Sequence, residues 1–176
     1  MPGWRWRRRH RNPRLTRGPF ALTAIYVDGD ACPVREEVYR VAGRLGLSVL
    51  VVSNGSRPLR PPGLPNVQMV FVRSEADAAD DWIAAHIGPG DICVTSDIPL
   101  AARCLARGAR VLAPNGRVWS AGNIGEALAG REVARHLREL DTATRSPPPL
   151  TKQDRSRFLS ALDTEIRRAL RGAGTA

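Results

Sequence analysis

Ala24-Ile25-Tyr26-Val27-Asp28-Gly29-Asp30-Ala31-Cys32-Pro33 is a short apolar run that stops on two carboxylates and then meets a proline. An apolar run of this length bounded by turn residues fits a fully buried strand, and proline is favoured in the first turn of a helix. The same order returns in Ile92-Cys93-Val94-Thr95-Ser96-Asp97, followed by Pro99. In an open α/β sheet, ligands bind in the crevice outside the carboxyl ends of the strands. Asp28, Asp30 and Asp97 are therefore the expected centre of a site.

Outward from these two runs, strands and helices alternate. The strand Thr23–Val27 leads into a helix from Pro33 to about Arg44, whose Val34, Val38, Val41 and Leu45 recur at helical spacing. Leu47–Val52 and Val67–Val72 read as strands, with a proline-rich loop, Arg57–Pro65, between them. A helix begins near Asp77, Asp91–Thr95 is a strand, Pro99–Arg107 a helix, and Arg110–Ala113 a short strand closing on Pro114-Asn115-Gly116. Asn123–Leu140 is a helix, Ser146–Pro149 a proline break, and Thr151-Lys152-Gln153-Asp154 opens a last helix with Phe158, Leu162, Ile166 and Leu170 on one side. This alternation predicts an α/β fold: a Rossmann-like parallel sheet with helices on both faces and a C-terminal helical extension from about residue 121.

The 176 residues fit one domain, placed at 23–172. The formal charge of +10 falls to +3 once the seven arginines of the first twenty residues are set aside, so the basic balance is mostly a tail. Residues 1–22, with Trp4 and Trp6 among the arginines, read as a disordered extension that could also track phosphates and stack bases. The apolar stretch from Phe20 to Val27 is short, ends in Asp28 and lacks a small-residue cleavage site, so it is not read as a signal peptide. No run approaches the roughly 20 apolar residues that cross a bilayer. A soluble, cytoplasmic protein without membrane contact is expected.

The three cysteines, Cys32, Cys93 and Cys104, form no C-x-x-C pair and suggest neither a disulfide framework nor a zinc site. Cys93 and Cys104 sit in apolar patterns and read as core. Cys32, beside Pro33, could have its thiol activated by a helix N-terminus, but no histidine stands where a base is needed. Water is then the expected nucleophile.

Ser74-Glu75-Ala76-Asp77-Ala78-Ala79-Asp80-Asp81-Trp82 adds a third acidic segment. On a helix Asp77 shares a face with either Asp80 or Asp81, three and four residues on. Acids in a first helical turn also complement the helix dipole, for about 0.3–1 kcal/mol each, and need no further role. Beside two strand-end aspartates the functional reading gains weight, because Mg²⁺ takes oxygen ligands and commonly one or two carboxylates plus waters. Asn54 after the second strand, with Arg57 and Arg73 near strand ends, could orient phosphates; surface arginines are also often merely solvated.

Asp28-Gly29-Asp30-Ala31-Cys32-Pro33-Val34, Asp77-Ala78-Ala79-Asp80-Asp81-Trp82-Ile83, Gly90 to Ala101, and Asn123-Ile124 with Leu128 and Arg131 occur in the order seen in the uncharacterised bacterial YaiI/YqxD family, which the chain resembles over about residues 24–170. That family is similar to the PIN-like and NYN nucleases. The resemblance implies a PIN-like sheet whose acids hold Mg²⁺ or Mn²⁺ for phosphodiester hydrolysis, commonly of RNA. Asp28 then corresponds to the acid ending the first strand, Asp77 with Asp80 or Asp81 to the acids of the central helix, and Asp97 to the acid of the T/S-x-D turn. Asn123 and Arg131 belong to the family pattern, either to bind substrate or to pack the C-terminal helices.

Two rivals accompany this reading. Phosphoryl transfer of the haloacid-dehalogenase kind also uses a strand-end D-x-D, yet it normally recruits a lysine, and the only lysine here is Lys152, far downstream. A non-catalytic RNA-binding module with a vestigial acidic site is the other. The modest charge outside the tail favours it over a processive nuclease, because tight grip on nucleic acid needs many phosphate contacts.

Overall fold

The computed structural model describes residues 23–140 and 148–173. Along the chain run β1 (Ala24–Asp28), α1 (Arg35–Leu45), β2 (Ser48–Ser53), β3 (Val67–Phe71), α2 (Ala78–His86), β4 (Ile92–Val94), α3 (Ile98–Ala106), β5 (Arg110–Leu112), β6 (Val118–Trp119), α4 (Ile124–Leu140) and α5 (Lys152–Ala173). The strands make one six-stranded sheet in the order β3-β2-β1-β4-β5-β6. All neighbours are parallel except β5 and β6. The Rossmann-like α/β architecture expected from the alternating pattern is what forms. The basic tail, and Ser146 and Pro147 of the proline break, lie outside the described residues.

Successive side chains of a strand point to opposite faces, and here both faces are covered. Ile25 and Val27 of β1, Val49 and Val51 of β2, and Ile92 and Val94 of β4 pack with Val34, Val38, Phe158, Leu162 and Ile166 in one core, so α1 and α5 cover that side. Tyr26, Leu50, Val52 and Cys93 face the other way and pack with Ile83 of α2 and Leu100 and Cys104 of α3. Parallel strands buried on both faces need continuous apolar runs rather than alternation. That is why Ile25-Tyr26-Val27 and Val49-Leu50-Val51-Val52 carry no polar residue.

Gly46 ends α1 in the left-handed conformation at φ 68°, where a residue without a Cβ sits at no steric cost. α5 begins with the reciprocal cap read from its sequence: the Asp154 amide donates to Thr151 Oγ1 at 3.1 Å, and the Thr151 amide donates to Asp154 Oδ2 at 2.9 Å. Leu170, expected on the buried stripe, is 42 % exposed, and Ala169 at 2 % takes that place in the core. Glu165 is buried on α5 and accepts from Arg110 of β5 at 2.9 Å and from Arg168 at 2.8 Å, which ties the helix to the sheet.

β6 has no counterpart in the strand pattern of the sequence. After Pro114-Asn115-Gly116 the chain reverses, the Ala113 amide bonds to the Arg117 carbonyl at 2.8 Å, and Val118 pairs with Leu112. Two residues are too few for any periodicity to register.

Candidate functional site

The strand order reverses at β1. From β1 the chain moves outward to β2 and β3, then returns across the sheet to β4 on β1's other side, so the carboxyl ends of β1 and β4 flank the topological switch point. Asp28 is the last residue of β1 and projects to the face covered by α2 and α3, as Tyr26 does. It is buried, and Thr95 just beyond β4 donates to its Oδ2 at 3.3 Å. Burial raises the Asp28 pKa above the usual carboxylate value; the Thr95 hydroxyl opposes that shift, and the charges of Asp30 and Asp97 add to it.

Asp97 caps α3. Its amide donates to Thr95 Oγ1 at 3.0 Å, while its Oδ1 accepts from the Leu100 amide at 2.9 Å. A single hydroxyl, Thr95, thus links the carboxylate ending β1 to the turn that carries Asp97.

α2 delivers the third acid. Asp80 is pushed up to about 7, first by burial and then by the charges of Asp97, Asp28 and Asp77; Arg103 pulls the other way. Four carboxylates from three separate segments therefore sense one another at one end of the sheet. Asp77 precedes α2 in the left-handed conformation at φ 64°, the one non-glycine residue among those described with positive φ, and its side chain caps nothing. Aspartate tolerates this region better than most residues.

The other expected site residues are employed differently. Asp30 interacts electrostatically with Asp28, but both its oxygens are engaged by the end of β2, Oδ1 by Ser53 Oγ at 2.6 Å and Oδ2 by the Asn54 amide at 2.9 Å. Asp81 turns to Arg103 of α3, which donates to its Oδ1 at 2.8 Å in an exposed pair. Asn54 folds onto its own turn by accepting from the Ser56 amide at 2.9 Å. Asn123 does likewise, accepting from the Ser120 amide at 2.9 Å and donating to the Val118 carbonyl at 3.0 Å, which fastens β6 to the start of α4. Arg57, Arg73 and Arg131 are exposed. Among the described residues, no three aspartate, glutamate, histidine or cysteine side chains converge closely enough to hold an ion.

Thr95 and Ser53 are the site residues that the sequence reading did not single out. Each is buried where a strand gives way to its loop. A hydroxyl at the end of an otherwise apolar strand is the signal each carried. Cys32 lies just beyond the site, but burial pushes its thiol up to about 12, so it stays protonated at neutral pH and is no nucleophile. Cys93 is raised as well, first by its hydrogen bond with Cys104 and then by burial.

Residues 26–168 match the family model described as "Uncharacterized BCR, YaiI/YqxD family". The chain belongs to the YaiI/YqxD family. It is 55 % identical over 150 residues to a UPF0178 protein of Paramagnetospirillum magneticum, covering 85 % of this chain and 98 % of that one. A UPF0178 protein of Rhodopseudomonas palustris is 52 % identical over 154 residues, 88 % of this chain and 98 % of the relative. That of Caulobacter vibrioides is 47 % identical over 152 residues, 86 % and 98 % of the two chains. No solved structure matches the chain. No helix among the described residues is long and apolar enough to cross a membrane.

Proposed function

We propose that this YaiI/YqxD protein is a metal-dependent hydrolase of phosphodiester bonds in RNA, with a hydrated Mg²⁺ or Mn²⁺ held by one or two of Asp28, Asp80 and Asp97 and with Asp77 beside them. One observation carries the reading: carboxylates from β1, α2 and the cap of α3 lie near enough at the switch point to act on one another, and burial together with their charges pushes Asp80 up to about 7. Such a cluster is short of positive charge. Its donors are all hard oxygens, which suits Mg²⁺ or Mn²⁺ better than a soft ion. Because no three donors converge, the fit is to a largely hydrated cation held by one or two carboxylates.

A cation bound there would stabilise charge on the phosphate and make an attacking water more acidic. Asp28 is held for that task by Thr95, and Asp97 by its place as the cap of α3. Asp80, pushed up to about 7, would have to lose its proton for a cation to bind there, so affinity for the ion would rise with pH through the neutral range. The buried thiols offer no competing nucleophile. The likeness to PIN-like nucleases points the same way, as an analogy of fold and motif. The lack of a tighter donor set favours one alternative, an RNA-binding module that keeps the acids without turnover.

The test is incubation of purified protein with single-stranded RNA, single-stranded DNA and a phosphomonoester, with and without chelator. Asp97→Asn is the informative variant, because the amide oxygen can still accept from Leu100 and keep α3 capped. The proposal expects RNA cleavage that needs Mn²⁺ or Mg²⁺ and disappears in Asp97→Asn. Turnover of the phosphomonoester alone would favour phosphatase chemistry, and binding without any turnover the RNA-binding module.

A further inference from the structure

We propose that the carboxyl rim of β2 and β3, across the sheet edge from the acidic centre and built from Phe71, Arg73, Arg57 and Arg60, is a cradle for single-stranded nucleic acid in which Phe71 stacks on a base and the guanidiniums hold the adjoining phosphates. It extends the nuclease reading by saying where the strand lies.

A lone exposed apolar residue is ordinary surface. Phe71 is marked by its neighbours. It is 55 % exposed at the carboxyl end of β3, the edge strand on the β1–β2 side of the sheet. In register, Asp28 lies opposite Val52 and Val52 opposite Val70. Two strand spacings separate β1 from β3, about 10 Å, and Phe71 stands one residue nearer the rim than Val70. Phe71 itself is opposite Ser53, whose hydroxyl holds Asp30. The ring therefore sits at the carboxyl rim on which β1 and β2 end, on the α1 and α5 side with Met69, so that a strand reaching Asp28 on the α2 and α3 side must cross that rim.

The loop after β2 brings charge to the same place. Leu59 Cδ1 lies 2.9 Å from where a Cβ on Gly29 would stand, so the stretch carrying Arg57 and Arg60 is packed against the residue between Asp28 and Asp30. Pro58, Pro61, Pro62 and Pro65 stiffen that stretch, so less freedom is lost when its arginines engage a ligand. Arg57, Arg60 and Arg73 are exposed and form no ion pair among the described residues, a state they share with Arg40, Arg131 and Arg138, and what sets the three apart is their place on the loop and strand end beside Phe71. Unpaired guanidiniums around an exposed ring match the alternating phosphates and bases of a single strand. A duplex keeps its base faces stacked and offers the ring nothing.

The experiment measures binding of the full chain, in chelator so that nothing is cut, to a labelled single-stranded oligoribonucleotide and to its duplex across a range of salt. The arginine-rich tail is common to all variants, so differences belong to the rim. Phe71→Leu is expected to weaken single-strand binding about fivefold or more, with the salt slope kept and duplex binding unchanged, and Phe71→Trp to restore affinity. Replacing Arg57, Arg60 and Arg73 together by Gln should flatten the slope of log affinity against log salt by about 2. Equal affinity in wild type and Phe71→Leu overturns the proposal. So does a change in sedimenting mass without a change in affinity, which would give the face to a second copy of the chain. Cleavage is read separately: a Phe71-dependent affinity with no turnover supports the cradle and removes the nuclease, whereas turnover indifferent to Phe71 does the reverse.

Discussion

Among the carboxyls of the described residues, Asp80 is the one pushed furthest from its ordinary value. A carboxyl held at about 7 in the folded chain, against about 3.9 when exposed, keeps a proton that the unfolded chain has already lost. Its contribution to stability is therefore complete below about pH 4 and is lost as pH rises towards 7. In chelator, urea unfolding of the wild type should show stability falling over that window, and Asp80→Asn should flatten the fall. An unaltered pH profile in the variant would mean that neither burial nor the neighbouring acids raise Asp80 in the folded chain. The thiols give a second residue-scale expectation. With Cys32, Cys93 and Cys104 all buried, a thiol reagent should label the native protein far more slowly than the urea-unfolded chain, where all three react.

At this scale the sequence was informative wherever a residue's role follows from where a strand stops. Asp28 and Asp97 were legible on that ground. The choice between Asp80 and Asp81 was not, because both stand within a helical turn of Asp77. The structure pairs Asp81 with Arg103 of another helix in an exposed bridge and leaves Asp80 half-buried under the charges of Asp97 and Asp28. The engagement of Asp30 was equally hidden, since Ser53 and Asn54 reach it only through the pairing of β1 with β2.

Among the elements, the parallel strands and the helices could be read because each has enough length for a period or a cap to show. The hairpin of β5 and β6 could not. Its stability rests on a contact invisible in one dimension: Gly116 has φ +87°, and a Cβ there would stand 2.7 Å from the Arg157 carbonyl carbon of α5. Gly55 shares the positive φ, at +76°, but would meet nothing. Alanine at either position pays the left-handed penalty of about 1–2 kcal/mol. Gly116→Ala must also displace helix backbone, so chemical denaturation should show it clearly less stable than Gly55→Ala. Equal losses would mean that the hairpin does not press on α5. The cap of α5 is a milder case, and Thr151→Ala should cost about 1 kcal/mol.

For the whole molecule, the order of the strands turns scattered acids into one centre. β1 and β4 are far apart in sequence yet adjacent in the sheet, and α2 and α3 cover the face to which Asp28 points. The alternation of elements made a parallel sheet readable, and the family motifs carried the expectation that the acids converge. How closely they converge depends on packing that no spacing encodes. The central claim, that these acids hold a divalent cation, is tested most directly by thermal unfolding of wild type, Asp28→Asn and Asp81→Asn with and without Mn²⁺ at pH 8. Ligand binding to the folded state alone raises its stability by mass action. The account predicts that Mn²⁺ raises the melting temperature of wild type and Asp81→Asn alike and leaves Asp28→Asn unmoved. The same rise in all three proteins would contradict it.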